Sequence, residues 1–119
     1  MKSFEETRQR LREFCTERDW DQFHSPKNLA MALIVEAAEL VEHFQWLSEE
    51  QSAALPADKL AAVAQEVADI QIYLVRFADR LDIDLDAAVA AKLAVNEQKY
   101  PADKARGNAR KYTEFDDGD

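Results

Sequence analysis

The chain has 119 residues, and its 24 acidic against 15 basic side chains give a formal charge of −9. Its two glycines, Gly107 and Gly118, lie near the C-terminal end, so no glycine-rich loop can cradle a phosphate group earlier in the chain. This excludes nucleotide binding of the Rossmann or P-loop type. The length fits one domain, residues 1–119, and the acidity argues against a surface that binds nucleic acid.

No apolar run reaches the roughly 20 residues of a membrane span, and the polar N-terminal residues lack the apolar core of a signal peptide. Cys15 is the only cysteine, which excludes an intrachain disulfide and a thiolate zinc site. We therefore expect a cytoplasmic protein that binds neither membranes nor nucleic acid.

Helical periodicity predicts an all-α fold, a four-helix bundle, and no stretch alternates as a strand would. Ser25 and Pro26 form a strong start signal for the second helix, with serine as the N-cap and proline at the first helical position. The fourth helix should end before Pro101, leaving residues 101–119 as an irregular tail. The four predicted helices span residues 3–18, 26–46, 56–81 and 84–99.

Two of these helices carry a pair of acidic residues three positions apart, Glu36 with Glu39 and Glu66 with Asp69. A helical projection places each pair within or beside the apolar face. Burying an ionised carboxylate costs several kcal/mol unless it is paired or binds a cation. Oxygen ligands of this kind suit Mg²⁺ or Mn²⁺. From the residues alone, a structural ion pair of Arg80 with Asp69 or with an acid opposite is the alternative.

A metal ion with open coordination positions normally engages substrate phosphates, so an acidic protein can bind a polyanion through bound cations. Residues 90–111 carry a net charge of +4, and Lys92 and Lys99 within them could reach phosphate oxygens that the metal leaves free. Aromatic faces stack on nucleotide bases, and His and Tyr add directional hydrogen bonds. The candidates for base contacts are Trp20, Phe23, His24, Trp46 and Tyr73.

The two acidic motifs, VEAAEL at 35–40 and EVADI at 66–70, resemble the Glu-x-x-Glu and Glu-x-x-Asp signature of the MazG-like all-α nucleoside triphosphate pyrophosphohydrolases. Further segments are similar to the dCTP pyrophosphatase branch of that family, so that the resemblance covers most of the chain. These segments are RDWDQFH at 18–24, FQW at 44–46, YL at 73–74, Lys92, NEQKYP at 96–101 and KY at 111–112.

The resemblance implies hydrolysis of a (deoxy)nucleoside triphosphate between the α and β phosphates, with Mg²⁺ and release of pyrophosphate. It further implies a homo-oligomer, either a dimer or a tetramer. By position, the metal ligands would be Glu36, Glu39, Glu66 and Asp69. The nucleotide would be contacted by Trp20, His24, Trp46 and Tyr73, and the phosphate or sugar by Lys92 and Asn96.

The resemblance departs at Leu11, which stands where the animal dCTP pyrophosphatases have a histidine. Loss of a contact there would broaden the base specificity, with dCTP or a modified dCTP as the expected substrate. Two other hypotheses remain open at this point. One is a catalytically silent helical module that binds a partner or senses nucleotide, and the other is an enzyme for a different pyrophosphate-containing metabolite.

Overall fold

The computed structural model describes residues 3–115, and all regular structure in that range is helical. The chain divides into two compact units, one ending at Ile83 and the other beginning at Asp84. The first contains α1 (Phe4–Glu17), a 3₁₀ turn (Asp21–Phe23), α2 (Pro26–Glu42), α3 (Glu49–Ser52) and α4 (Ala57–Arg80). The second contains α5 (Leu85–Lys99), α6 (Ala102–Ala105) and a 3₁₀ turn (Tyr112–Glu114).

The expected all-α class is confirmed, but the expected count of four helices is wrong, because residues 3–115 form six α-helices. The four long ones correspond to the predicted segments, and the additional α3 and α6 have four residues each. The tail is therefore not wholly irregular. Residues 1–2 and 116–119, which belong to the predicted domain and tail, lie outside the described range.

The largest error in a helix boundary is at the end of α2, which stops at Glu42 instead of near Trp46. The following turns tighten, and the N–H of Phe44 donates to the carbonyl of Val41 at 2.9 Å. Ser48 and Gln51 then form a reciprocal capping box that starts α3. The apolar residues after Glu42 keep the helical spacing, so periodicity alone extends the helix too far.

Aspartates replace glycines at two helix ends, where the backbone must take up left-handed conformations. Asp19 after α1 and Asp82 after α4 both have φ of 55°. The next N–H in each case reaches back to a carbonyl in the last turn, Trp20 to Cys15 at 2.9 Å and Ile83 to Ala78 at 2.8 Å. This Schellman pattern tolerates Asp in place of Gly, which explains how a chain without early glycines ends its helices.

In the first unit, α2 packs along α4, and α1 packs against α4 over a smaller area. Within residues 3–115, the buried apolar side chains come from these three helices and are Cys15, Leu29, Val63, Val75 and Ala78. None of the helices within residues 3–115 is both long enough and apolar enough to cross a bilayer. Because α1 and α2 both pack against α4, α4 is the central helix of this unit.

Buried charges join α1 to the end of α4. Arg12 donates two hydrogen bonds to Asp79, from Nε at 2.8 Å and from Nη2 at 2.6 Å. Arg76 is also buried, and its Nη1 lies 3.7 Å from Asp79 Oδ2. Burial alone would raise the pKa of Asp79, but the hydrogen bonds and charge of Arg12, together with Arg8 and Arg76, hold that pKa below its ordinary value.

The second unit begins with Asp84, whose side chain accepts a 3.0 Å hydrogen bond from the N–H of Ala87 and caps α5. The ring of Tyr100 packs edge-to-face against Tyr112 and Phe115. No side chain of α5 is buried. This unit is therefore held mainly by contacts at its C-terminal end.

We expect Asp79→Asn to lower the free energy of unfolding at pH 7 by about 2 kcal/mol, because it removes the buried negative charge that faces Arg12 and Arg76 and leaves Asp21 as the carboxylate partner of Arg76. The folded-state pKa of Asp79 lies below the ordinary 3.8, so its contribution is full above that pH and is lost as the pH falls through the folded value. Urea unfolding followed by circular dichroism at pH 7 and pH 3 measures both effects.

The matched control is Glu5→Gln, which removes an ion pair with Arg8 on the surface of α1 and should change stability much less, because solvent screens an exposed pair. Equal losses in the two variants, or a loss for Asp79→Asn that does not shrink at pH 3, would contradict the assigned role.

Candidate metal and nucleotide site

The four predicted acidic ligands lie on the two helices that pack most closely. Glu36 and Glu39 lie on α2, and Glu66 and Asp69 lie on α4. One carboxylate oxygen from each of Glu36, Glu39 and Glu66 lies within 4.8 Å of the others. Asp69 is more exposed than these three and lines the same pocket as Glu36. Packing of α2 on α4 thus brings three of the four predicted ligands into one acidic cluster, and Asp69 stands outside that cluster in the wall of the adjoining pocket.

Two oxygens of this cluster, Oε2 of Glu36 and Oε2 of Glu66, are buried and accept no hydrogen bond within the described residues. Burial, followed by hydrogen bonding and charge from Glu39, raises the pKa of Glu36 to about 7. Glu66 and Asp69 add to the same shift. Buried oxygens without partners in an all-carboxylate set are the donors that a hard divalent cation takes, so the residues fit Mg²⁺ or Mn²⁺.

Nearby basic side chains are engaged elsewhere. Arg80, the expected partner of Asp69 in the ion-pair alternative, donates from Nε to the carbonyl of His24 at 3.1 Å. Arg76 pairs with Asp21 and Asp79. Nε2 of His43 lies 3.8 Å from Oε1 of Glu66, a pair that is charged only when the histidine is protonated. The geometry therefore favours a cation site over the ion-pair alternative.

A cavity of about 250 Å³ adjoins the acidic cluster, with Glu36 and Asp69 in its wall. It brings together three of the five predicted aromatic residues, Trp20, His24 and Tyr73. Trp20 and His24 meet edge-to-face with ring centres 6.3 Å apart. The remaining wall consists of Leu11, Phe14, Cys15, Ile72 and Arg76. An apolar, aromatic wall beside carboxylates can hold a base at one end and a cation-bound phosphate at the other.

The other two predicted aromatic residues do not line this cavity. Phe23 lies on the 3₁₀ turn after α1 and is 60% exposed. Trp46 lies beyond the end of α2 and is 87% exposed. Sequence spacing gave no information about their direction, because both stand outside the long helices.

The remaining predicted contacts, Lys92, Asn96 and Lys99, lie on α5 in the second unit. The carbonyl of Asn96 accepts a 2.8 Å hydrogen bond from the N–H of Tyr100. Nζ of Lys99 lies 4.8 Å from the ring centre of Tyr112, a cation–π contact. Lys92 is exposed.

The sequence prediction did not include Arg76 among the site residues, although it is buried and lines the cavity. The signal was present, because Asp69, Tyr73 and Arg76 follow one another at helical spacing on a single stripe of α4. Phe14 and Ile72 were also missed as wall residues, since apolar side chains at such spacing read as core.

Comparison with known proteins agrees with this arrangement. The model of the MazG-like family matches residues 31–115, and the chain therefore belongs to the MazG-like family. It is 44% identical over 118 residues to dCTP pyrophosphatase 1 of Mus musculus, covering 98% of this chain and 69% of the mouse protein. Against dCTP pyrophosphatase 1 of Homo sapiens the identity is 43% over 119 residues, with the same coverage.

A solved structure is similar as well. The crystal structure of a pyrophosphatase from Archaeoglobus fulgidus superimposes with a TM-score of 0.77 at 41% sequence identity. The match covers 82% of this chain and 91% of the archaeal chain. The helical arrangement thus occurs in a pyrophosphatase of similar size.

We expect Glu36→Gln to raise the melting temperature of the metal-free protein in EDTA and to reduce its further rise with Mg²⁺. The pKa of Glu36 is raised from 4.5 to about 7, so the ionised group costs stability fully above pH 7 and not at all below about pH 4.5. The gain should therefore be largest at pH 8. Differential scanning calorimetry at pH 5 and pH 8, with EDTA or Mg²⁺, measures it.

Glu42→Gln is the control, since it removes an exposed carboxylate from the last residue of the same helix. It should leave the Mg²⁺-dependent rise intact. An undiminished rise in Glu36→Gln would exclude Glu36 as a ligand.

Proposed function

We propose that this protein is a Mg²⁺-dependent nucleotide pyrophosphohydrolase that cleaves dCTP or a modified dCTP to the monophosphate and pyrophosphate. The observation that carries the proposal is the acidic cluster with its buried, unpartnered oxygens beside an aromatic cavity. The relatives named dCTP pyrophosphatase 1 support the substrate. Membership of the MazG-like family supports the reaction class.

The proposed metal ligands are Glu36, Glu39, Glu66 and Asp69. When bound, Mg²⁺ (or Mn²⁺) supplies neutralisation of phosphate charge and acidification of a water molecule. Hydrolysis adds one water across the α–β bridge, so that its oxygen bonds to the α or the β phosphorus, the bridging P–O bond breaks, and the monophosphate and pyrophosphate separate. A carboxylate of the cluster would orient this water and accept its proton.

The cavity would hold the base against Trp20 and Tyr73, with His24 at its edge. Side chains outside the cavity stay in the proposal as further substrate contacts. The family resemblance supports Trp46, Lys92 and Asn96, whereas Phe23 and Lys99 are retained for their aromatic ring and their positive charge. Because the family model spans residues 31–115 and crosses the boundary at Ile83, we further propose that residues 1–119 work as one domain.

The proposal also includes a homo-oligomer, either a dimer or a tetramer. The face of α2 opposite Leu29 exposes Met31, Ile34, Val35 and Val41, each more than half accessible. A helix that is apolar on every side is normally covered on every side. A second copy of the chain would cover this face, since soluble assemblies of one chain are mostly symmetric.

A cytoplasmic location completes the proposal, because a free cysteine such as Cys15 is typical of a reducing compartment. The net charge of −9 disfavours binding of nucleic acid, whereas a single nucleotide could be bound through cations.

The activity is tested with a panel of deoxynucleoside and ribonucleoside triphosphates in Mg²⁺, with products separated by ion exchange. We expect dCMP and pyrophosphate from dCTP, and at least about 100-fold loss of turnover in Glu39→Gln and Asp69→Asn, since each removes a metal ligand. Glu42→Gln should keep full activity. Release of orthophosphate with dCDP would contradict the reaction, and no turnover with any nucleotide would favour the silent-module hypothesis.

The assembly is tested with Ile34→Glu, which places a charge at the centre of the exposed face of α2. We expect sedimentation velocity to show the wild-type protein as an oligomer and this variant shifted to a smaller species. Ala54→Glu adds the same charge at an exposed loop position and should sediment as wild type. A monomeric wild-type protein would overturn this part of the proposal.

A further inference from the structure

The ring of His24 is fixed on one side by two groups of the protein. Nε of buried Arg76 lies 3.2 Å from Nδ1 of His24. Sγ of Cys15 lies 3.7 Å from the same nitrogen. Because Nδ1 is occupied, Nε2 is the ring nitrogen that remains for a ligand in the cavity that His24 lines.

The chemistry of arginine decides where the proton of the imidazole lies. A guanidinium only donates hydrogen bonds, and it keeps its protons at every pH a protein tolerates. Nδ1 must therefore accept from Arg76 Nε, which leaves the proton of the neutral ring on Nε2. A proton on Nδ1 would place two N–H groups against each other.

Arg76 is itself held in place from two sides. Its Nη2 donates to Asp21, and its Nη1 lies 3.7 Å from Oδ2 of Asp79. Asp79 is held in turn by the two hydrogen bonds from Arg12. Only 4% of the surface of Arg76 is exposed, so turning away from His24 would break its pair with Asp21 and remove a buried guanidinium from Asp79.

We propose that Arg76 is a positioning residue that fixes His24 as the neutral Nε2–H tautomer, so that the cavity presents a hydrogen-bond donor to the edge of the nucleotide base. The tautomer follows from the structure alone, whereas the role toward a base rests on the proposed function. Cytosine offers acceptors at N3 and O2, whereas uracil and thymine carry a hydrogen on N3. Because O2 is an acceptor in all three bases, a fixed donor favours dCTP over dUTP and dTTP when it meets N3.

The surrounding charges act in the same direction. Burial, followed by the charges of Arg76 and Arg80 on α4, lowers the pKa of His24, and these outweigh Asp21 on the 3₁₀ turn. Burial also raises the pKa of the Cys15 thiol on α1, which stays protonated at neutral pH. The Cys15 thiol carries no charge, and the negative charge of Asp21 is outweighed. The imidazole of His24 therefore stays neutral at pH 7.5.

The tautomer is measured without substrate by long-range ¹H–¹⁵N correlation NMR of the imidazole rings. The chain has two histidines, so the spectrum of His24→Gln assigns the remaining signals to His43. At pH 7.5 we expect His24 to be protonated on Nε2 alone. In Arg76→Gln we expect a mixture of tautomers and a pKa closer to the ordinary 6.5.

Arg12→Gln is the matched control, because it removes the same side chain from the other side of Asp79 without touching His24. It should shift the His24 signals much less than Arg76→Gln does, because Asp21 still holds Arg76 against the ring. A wild-type ring protonated on Nδ1, a charged ring at pH 7.5, or an unchanged tautomer in folded Arg76→Gln would overturn the proposal.

A second pair of variants leaves Arg76 intact and tests the role toward the base. His24→Gln places an amide near Nε2, and His24→Asn places it near Nδ1. The ratio of kcat/KM for dCTP to that for dUTP should stay near wild type in His24→Gln and fall about tenfold in His24→Asn. Equal ratios in the two variants, with a uniform rise in KM, would assign the donor to a phosphate oxygen and overturn the base role.

The two measurements separate this inference from the proposed function. The expected tautomer in a protein that hydrolyses no nucleotide would refute the proposed function and the base role and leave the assignment of the ring intact. Hydrolysis of dCTP by a protein with the opposite tautomer would support the proposed function and refute both the assignment of the ring and its role toward the base.

Discussion

The packing of α2 along α4 is the constraint on which the rest of the structure depends. The same contact that buries Leu29 and Val63 brings acidic side chains from both helices together. The cluster cannot be relieved by rotating either helix, because rotation would expose the apolar residues on the same face. Burial and the neighbouring carboxylates raise the pKa of Glu36, and a bound cation would relieve this repulsion. The arrangement that would bind a metal ion therefore lowers the stability of the metal-free protein.

A second set of buried charges lies farther along α4 and has a different character. Asp79 is satisfied by two hydrogen bonds from Arg12, whereas the cluster around Glu36 contains oxygens without partners. Helix α4 therefore takes part in two groups of charges. In the closed network, which joins α1 to α4, the carboxylate of Asp79 is hydrogen-bonded; in the open one, beside the cavity, carboxylate oxygens lack partners. Arg76 belongs to the closed network and lines the cavity. Through it, the residues that stabilise the fold also set the orientation of His24.

The apolar surface distribution adds a further requirement. Few side chains are fully buried within the first unit, while α2 leaves large apolar residues such as Ile34 and Val41 accessible. A core of this size supplies limited stability to a chain of this length. Burial of the outer face of α2 in an assembly would add apolar area without changing the inner face that carries Glu36 and Glu39.

The sequence by itself determined the helical class, the main helices and the two acidic pairs, because periodicity, capping residues and i, i+3 spacing are local properties of the chain. It also named Trp20, His24 and Tyr73 as candidates for contacts with a nucleotide, and the structure places these three in the wall of one cavity. The same motifs carry the resemblance to the MazG-like family, and the match of the family model to residues 31–115 confirms it. These features depend on neighbours within about two turns of helix.

Only the tertiary structure decided the rest. It ended α2 at Glu42, turned Phe23 and Trp46 away from the cavity, and engaged Arg80 with the carbonyl of His24 in place of Asp69. The contact of Arg76 with His24 joins residues 52 positions apart. The physical reason is the same in each case, since the direction of a side chain outside a regular helix and the partner of a buried charge are fixed by atoms from distant segments, which no local spacing encodes.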